Sequence, residues 1–352
     1  MMNVKASILE IAPDVYISPT ARISARELYI ESGAWLGDAV DIQAGVVRIG
    51  QRSRILGNCS VRFTESFQLG PLATIDVNCR FRGRRFSTGA HFYSGENVTI
   101  GGGGAMGPNA VFSADIGVSI FSESYVNLAE PVTIGSGTAL SSRVTLLTHG
   151  CWQPILDGYP SSFAPIRLGR DVVVYFGSTI LPGCDVGDGS LVAANSLVNA
   201  TIPAHALAGG NPARVLRQPY PRVLSDSERH QRVCEILKMY AAGLAYKGFQ
   251  SVQQSSDLAE VGFAFRGQAY RVLLDRSIVG SVDEQHPIQL LSAASGVSGL
   301  SLVPSTTYFD LSERRIFGPR NAVVEDLRDF LRRTGIRILD DEPFQPLPPA
   351  ET

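Results

Sequence analysis

His149 is the residue in this chain best suited to move a proton at neutral pH, because an imidazole titrates nearest to that range. It sits in TLLTHG (145–150), three residues past Leu146 and directly ahead of the run GCWQPILDGYPSSFAP (150–165). A general base there would take the proton of a hydroxyl or amine and so turn a poor nucleophile into a good one. Asp157, in the same run, is a carboxylate that could orient the ring. RFRGRRF (80–86) gathers four arginines, read either as solvated outer turn surface or as a patch for an anionic acceptor. GGGGAMG (101–107) is glycine-rich but lacks the strand–GxxxxGK[ST]–helix setting of a phosphate loop, which favours tight turns.

Other chemistries are excluded by type and spacing. The five histidines show no metal-ligand pattern, so no metal is expected. The five cysteines form no CxxC pair or disulfide framework, and an unpatterned odd number favours a reducing, cytoplasmic setting. A formal net charge of −2 argues against nucleic acid as a partner. The first residues lack a basic segment followed by a long apolar run, and no stretch approaches the roughly 18 apolar residues of a membrane span.

What positions His149 is a six-residue beat. Leu168, Val174, Ile180, Val186, Val192 and Val198 fall six apart, and Ile134, Leu140 and Leu146 keep the same step earlier. Small residues such as Gly135, Gly169, Gly187 and Ala193 follow several of them. A short fixed period of this kind is the signature of a hexapeptide β-helix, in which the aliphatic residue points inward and the small one lets the backbone turn. A chain with 35 glycines, 20 prolines and only 18% charged residues suits a turn-dense solenoid. Coils are expected from about residue 12 to about 203, less regular in the first half. The beat breaks once. After Leu146 it resumes sixteen residues late at Leu168, so 150–165 is an insertion. Loops this long inside compact repeats are usually functional. Trp152, Ile155, Leu156, Tyr159 and Phe163 make this one apolar enough to cover something.

Beyond AGGNPARVLRQPYP, Ser225 and Glu228 have capping-box spacing. Val233, Ile236, Leu237, Tyr240 and Leu244 then mark one face of a helix that Gly248 would end. After a polar linker (250–257) come strand-like FAFRGQAYRVLLD, IQLLS and LSLVPSTTYFDL, a helix capped by Asn321, and IRILDD as a last strand. The expected organisation is a β-helix domain over 1–217, a helical extension over 218–249 docked on the prism or between subunits, a small α+β module over 250–345, and a disordered tail over 346–352.

TLLTHG, the inserted loop and APIRLGRDVVVYFGSTILPGCDVGDGSLVAANSLVNATIPAHALAGGNPARVLR together resemble the hexapeptide acyltransferases. More narrowly they resemble the serine, maltose, galactoside and capsular-sugar O-acetyltransferases. The likeness is best over 130–217, plausible over 12–217, and absent over 250–352. It implies a mainly β fold, a left-handed parallel β-helix, a hand that departs from the usual right-handed crossover. It also implies a homotrimer with active sites in clefts between prisms, and acetyl-CoA or another acyl-CoA as co-substrate. His149 matches the general base that lets an acceptor hydroxyl or amine attack the thioester, with backbone N–H groups as oxyanion donors. Ala194 falls on the pantetheine channel. Arg214 and Arg217 match basic residues that approach the cofactor phosphates, though they could equally cap the β-helix. The usual Trp-Ile-Gly before the ILPG turn is Val173-Val174-Tyr175 here, a small residue after it is Phe176, and the usual Lys of the next element is Ala200. Tyr175 and Phe176 would narrow the thioester channel or fit a different acyl group.

The expected function is therefore acyl transfer to a hydroxyl of a sugar, a polysaccharide or an antibiotic precursor. The alternatives are N-acylation of an amino sugar, or a non-catalytic scaffold that keeps the prism without binding CoA.

Overall fold

The computed structural model describes residues 3–104, 107–249, 252–275, 285–292 and 302–349. It divides into two compact units, 1–222 and 223–352.

The first unit is a parallel β-solenoid with three faces. In its regular part each inward residue pairs with the one a full coil later: Leu168 with Val186, Val174 with Val192, Ile180 with Val198. These belong to three different rows, so each step of six moves the chain to the next face. All six side chains are buried. At about 1.5–3 kcal/mol for each buried aliphatic side chain, the rows are the main source of the unit's cohesion. Left-handed corner residues such as Asn58, Asn78, Asn97 and Asn195 turn the chain between faces.

The first half is less regular for a structural reason. Its coils are one or two residues longer: Ile23 pairs with Ile42, Ile42 with Val61 and Val61 with Phe81. Two faces there run as one long strand, over Arg22–Ile30, Asp41–Ile49, Ser60–Leu69 and Arg80–Thr88. The wider interior is filled by phenylalanines. Phe67 and Phe112 each stack on Phe86 with ring centroids 5.0 Å apart. RFRGRRF is thus part of a strand and not turn surface.

In the second unit, α1 (Asp226–Tyr246) begins with a capping box between Ser225 and Glu228. A six-stranded mixed sheet follows, in the chain order Gln253–Gln254, Glu260–Phe265, Gln268–Leu274, Gln285–Leu291, Thr307–Asp310 and Arg315–Phe317. Helix α2 (Ala322–Arg333) is capped by the Asn321 side chain. Three expectations need correction. Val233, Leu237, Tyr240 and Leu244 of α1 are buried with Val261, Leu290 and Leu327, so the helix is part of this unit's core and no separate extension. The expected last strand is an irregular segment whose Ile338 carbonyl accepts from the fully buried Arg328, 3.2 Å away. The same guanidinium takes the carbonyls of Glu342 and Pro343, and Leu347 is buried, so part of the expected tail is packed. Residues 350–352 of that tail lie outside the described ones, as do the linker residues Gln250 and Ser251.

Solenoid stability is a sum of neighbour terms, so 1–222 should fold alone. A cut at 248 would strand the apolar face of α1. Residues 1–222 should therefore melt cooperatively and scatter less light than 1–248. If 1–248 is the better behaved, α1 belongs with the prism.

Candidate functional site

His149 lies where the chain leaves the solenoid. The strand Thr145–Leu146 belongs to one face, and the next strand of that face pairs Leu146 with Ile180. Between them the insertion runs out and returns, and its two ends pair antiparallel, His149 with Phe163 and Gly150 with Ser162. The Phe163 ring stacks on the imidazole with centroids 5.6 Å apart. The rest of the loop is open within one chain, with Trp152 88% and Leu156 95% exposed. Asp157 lies in an exposed 3₁₀ turn (Ile155–Asp157) and does not orient the ring, which corrects that expectation.

The orienting group is Asn127. Val126 pairs with Leu146 across adjacent coils, so the residues after each share one corner of the prism. The buried Asn127 Oδ1 lies 2.8 Å from His149 Nδ1. The same oxygen accepts from the Thr148 hydroxyl at 2.6 Å and from the Ala129 N–H at 3.2 Å. The Asn127 amide nitrogen donates to the Gly103 carbonyl at 3.3 Å, which fixes which way the amide points. In the Thr148–Asn127 pair the hydroxyl is the donor, because the amide oxygen has no hydrogen to give, and Thr148 Oγ1 itself accepts from the Glu130 N–H at 3.1 Å. An amide oxygen only accepts, so the ring nitrogen facing it must carry its hydrogen. Neutral His149 is therefore the Nδ1–H tautomer, and Nε2 holds the free lone pair. That is the form in which a histidine can accept a proton from a nucleophile.

The glycine run closes the other side. A Cβ at Gly103 would stand 2.9 Å from Nε2 and 2.7 Å from Cε1 of His149, so only glycine lets the loop approach the ring this closely. Ala105 and Met106 of that run lie outside the described residues. Among the described residues no cluster of His, Cys, Asp and Glu could hold a metal ion, and no helix is long and apolar enough to cross a membrane.

The remaining candidates stand elsewhere. Tyr175, Phe176 and Ala194 are exposed at another corner, ahead of the face that carries Thr145. The backbone carbonyl of Phe176 accepts from Asn195, which stacks these turns in one column. The Arg143 guanidinium lies 5.5 Å above the Phe176 ring. Arg214 and Arg217 are exposed on the strand Ala213–Arg217, which folds back antiparallel on Leu207–Gly210. Neither forms an ion pair among the described residues. One chain thus brings His149 together with Asn127, Thr148, Phe163 and Gly103, but not with the expected CoA contacts.

No family model matches the chain. It is 30% identical over 144 residues to the galactoside O-acetyltransferase of Escherichia coli, covering 38% of this chain and 67% of that one. It is 32% identical over 126 residues to serine acetyltransferase 2 of Arabidopsis thaliana, covering 36% of each. The crystal structure of a hexapeptide-repeat acetyltransferase from Vibrio cholerae is similar over 43% of this chain and 73% of its own, at 24% identity and a TM-score of 0.29. The chain spans less than half the length of some of the curated relatives it matches.

Proposed function

The chain belongs to the hexapeptide-repeat acetyltransferases, the left-handed β-helix family, and from that premise we propose that it transfers an acyl group from acyl-CoA to a hydroxyl of a saccharide. The observation that carries the reading is the hydrogen bond from His149 Nδ1 to Asn127 Oδ1, which leaves Nε2 free as a base. The acceptor O–H gives its proton to Nε2 as its oxygen bonds to the acyl carbon. The imidazolium returns that proton to the sulfur as the C–S bond breaks, giving an ester and free thiol. Arg214 and Arg217, exposed and without an ion pair among the described residues, suit CoA phosphates, since an arginine fork matches phosphate in charge and geometry. The co-substrate supplies an acyl group activated as a thioester.

Tyr175, Phe176 and Ala194 occupy a different corner of the prism from His149. A second copy that sets its own column beside His149 would complete one cleft from two chains, so a homotrimer is the assembly this reading favours. The direct test is thiol release from acetyl-CoA with galactose, maltose and an amino sugar as acceptors, beside a thermal shift with CoA. Binding to the native state raises the melting temperature. A scaffold would show neither thiol release nor a shift, and N-transfer would show as preference for the amino sugar.

Arg214→Ala with Arg217→Ala should weaken CoA binding far more than it slows the chemical step. Each lost charge-assisted hydrogen bond is worth about 1.5–3 kcal/mol. Unchanged CoA affinity by calorimetry would make these two residues caps of the last coil.

A further inference from the structure

The four arginines of RFRGRRF split into two pairs with different fates. Arg84 and Arg85 are engaged by Glu65, at 2.6 and 3.7 Å. Arg80 and Arg82 are exposed and have no carboxylate partner among the described residues. They flank the inward Phe81, so both stand on the outer side of one face. The nearest carboxylate on that ladder, Asp41, is already held by Arg62 at 2.5 Å. Arg80 also borders a polar hollow of about 340 Å³ lined by Asn58, Asn78, Asn97 and Thr99. The left-handed corner turns account for asparagine at these positions. Their three exposed amide side chains line the same hollow as the Arg80 guanidinium, which has no ion pair among the described residues.

This surface leads to His149. Arg80 pairs in register with Thr99, Thr99 with Tyr125, and Tyr125 with Thr145, four residues before the base. At about 4.7–4.9 Å per rung, Arg80 stands about 15 Å along the face from the level of Thr145. The Arg82 stem lies against Gly101, two residues before Gly103, where an added Cβ would stand 2.9 Å from Nε2. Exposed amides and two arginines without a carboxylate partner among the described residues thus form one track along the face that carries Thr145, four residues before the candidate base.

We propose that this track is an acceptor subsite for an anionic saccharide, with Arg80 and Arg82 holding a carboxylate or phosphate set back from the reacting hydroxyl. The inference rests on the acyltransferase reading and adds the acceptor's charge and extent. A guanidinium fork binds either anion in two-point fashion, and the amides suit sugar hydroxyls.

The test is calorimetry on the full chain with trigalacturonic acid as the carboxylate probe, UDP-glucose as the phosphate probe and maltotriose as the neutral control. The wild type should bind one or both anionic probes at least about tenfold more tightly than maltotriose, the scale of one charge-assisted contact. Which anionic probe wins identifies the source of the charge, and added salt should weaken that arm alone. Arg80→Gln with Arg82→Gln should abolish the preference while leaving CoA affinity and the melting temperature unchanged. Anionic probes that bind no better than maltotriose would overturn the proposal, as would a double variant that keeps the preference or loses CoA binding to the same degree. The two readings fail separately. Anion-selective binding without acetyl transfer would sink the acyltransferase and leave the subsite, whereas transfer to neutral and anionic acceptors at equal kcat/KM would do the reverse.

Discussion

Replacing His149 with alanine should lower turnover by about 10²–10⁴-fold, the usual worth of a positioned general base. The change should leave the fold intact, because His149 is at a corner and not in an inward row. The solenoid's cohesion lies in rows such as Val126, Leu146 and Ile180, which the substitution does not touch. CoA affinity should also hold, since the candidate phosphate contacts are on the terminal hairpin. The measurement is steady-state thiol release from acetyl-CoA, paired with a CoA titration and a melt of the same sample. Loss of turnover with CoA affinity retained assigns the residue to the chemical step. Full activity in the alanine variant would remove His149 from the mechanism.

The solenoid was legible because its cause is periodic. An inward aliphatic every six residues needs no tertiary information, and Leu168 to Val198 fall on three successive faces as that step requires. The same regularity exposed the insertion and therefore His149. The lengthened early coils blurred the beat, since a coil of 19 or 20 residues no longer divides into equal thirds. Helix α1 was legible as a helix and misplaced as a domain element. Its stripe of Val233, Leu237, Tyr240 and Leu244 states that one face must be buried, not what buries it. The packed segment around Ile338 was unreadable for a related reason. Its partner is Arg328, a residue type that sequence patterns place on the surface, and its burial depends on Glu325 and Asp340 closing around it.

Asn127 was missed because it lies 22 residues from His149 in sequence. A signal existed. Val126 and Leu146 belong to the same inward row, so counting one coil back from TLLTHG lands on VNLAE and sets Asn127 beside His149. The polar residue there is buried where its neighbours in that column include Gly101, Leu147 and Leu181. A buried amide in such a place is costly unless it serves several partners, and this one serves four.

That accounting predicts what its removal should do. Asn127→Ala would leave the Ala129 N–H and the Gly103 carbonyl without that partner, at about 1–3 kcal/mol for each group that finds no water, while the Thr148 hydroxyl keeps the residue-127 backbone carbonyl at 3.3 Å. The variant should therefore melt earlier. It should also lose most of the turnover that His149→Ala loses, because nothing then holds the ring in the Nδ1–H tautomer with Nε2 free. A purely structural role would predict the first effect without the second, so stability and rate must be separated. Asn127→Asp does this. It keeps an acceptor oxygen for His149, Thr148 and Ala129 while losing the donor to Gly103. Turnover should recover well above that of the alanine variant. The acid limb of its rate profile should move to higher pH than in the wild type, since an adjacent carboxylate favours the imidazolium and a base must be neutral to act. Alanine and aspartate variants of equal activity, with an unmoved acid limb, would reduce Asn127 to a packing residue and leave the tautomer of His149 to some other group.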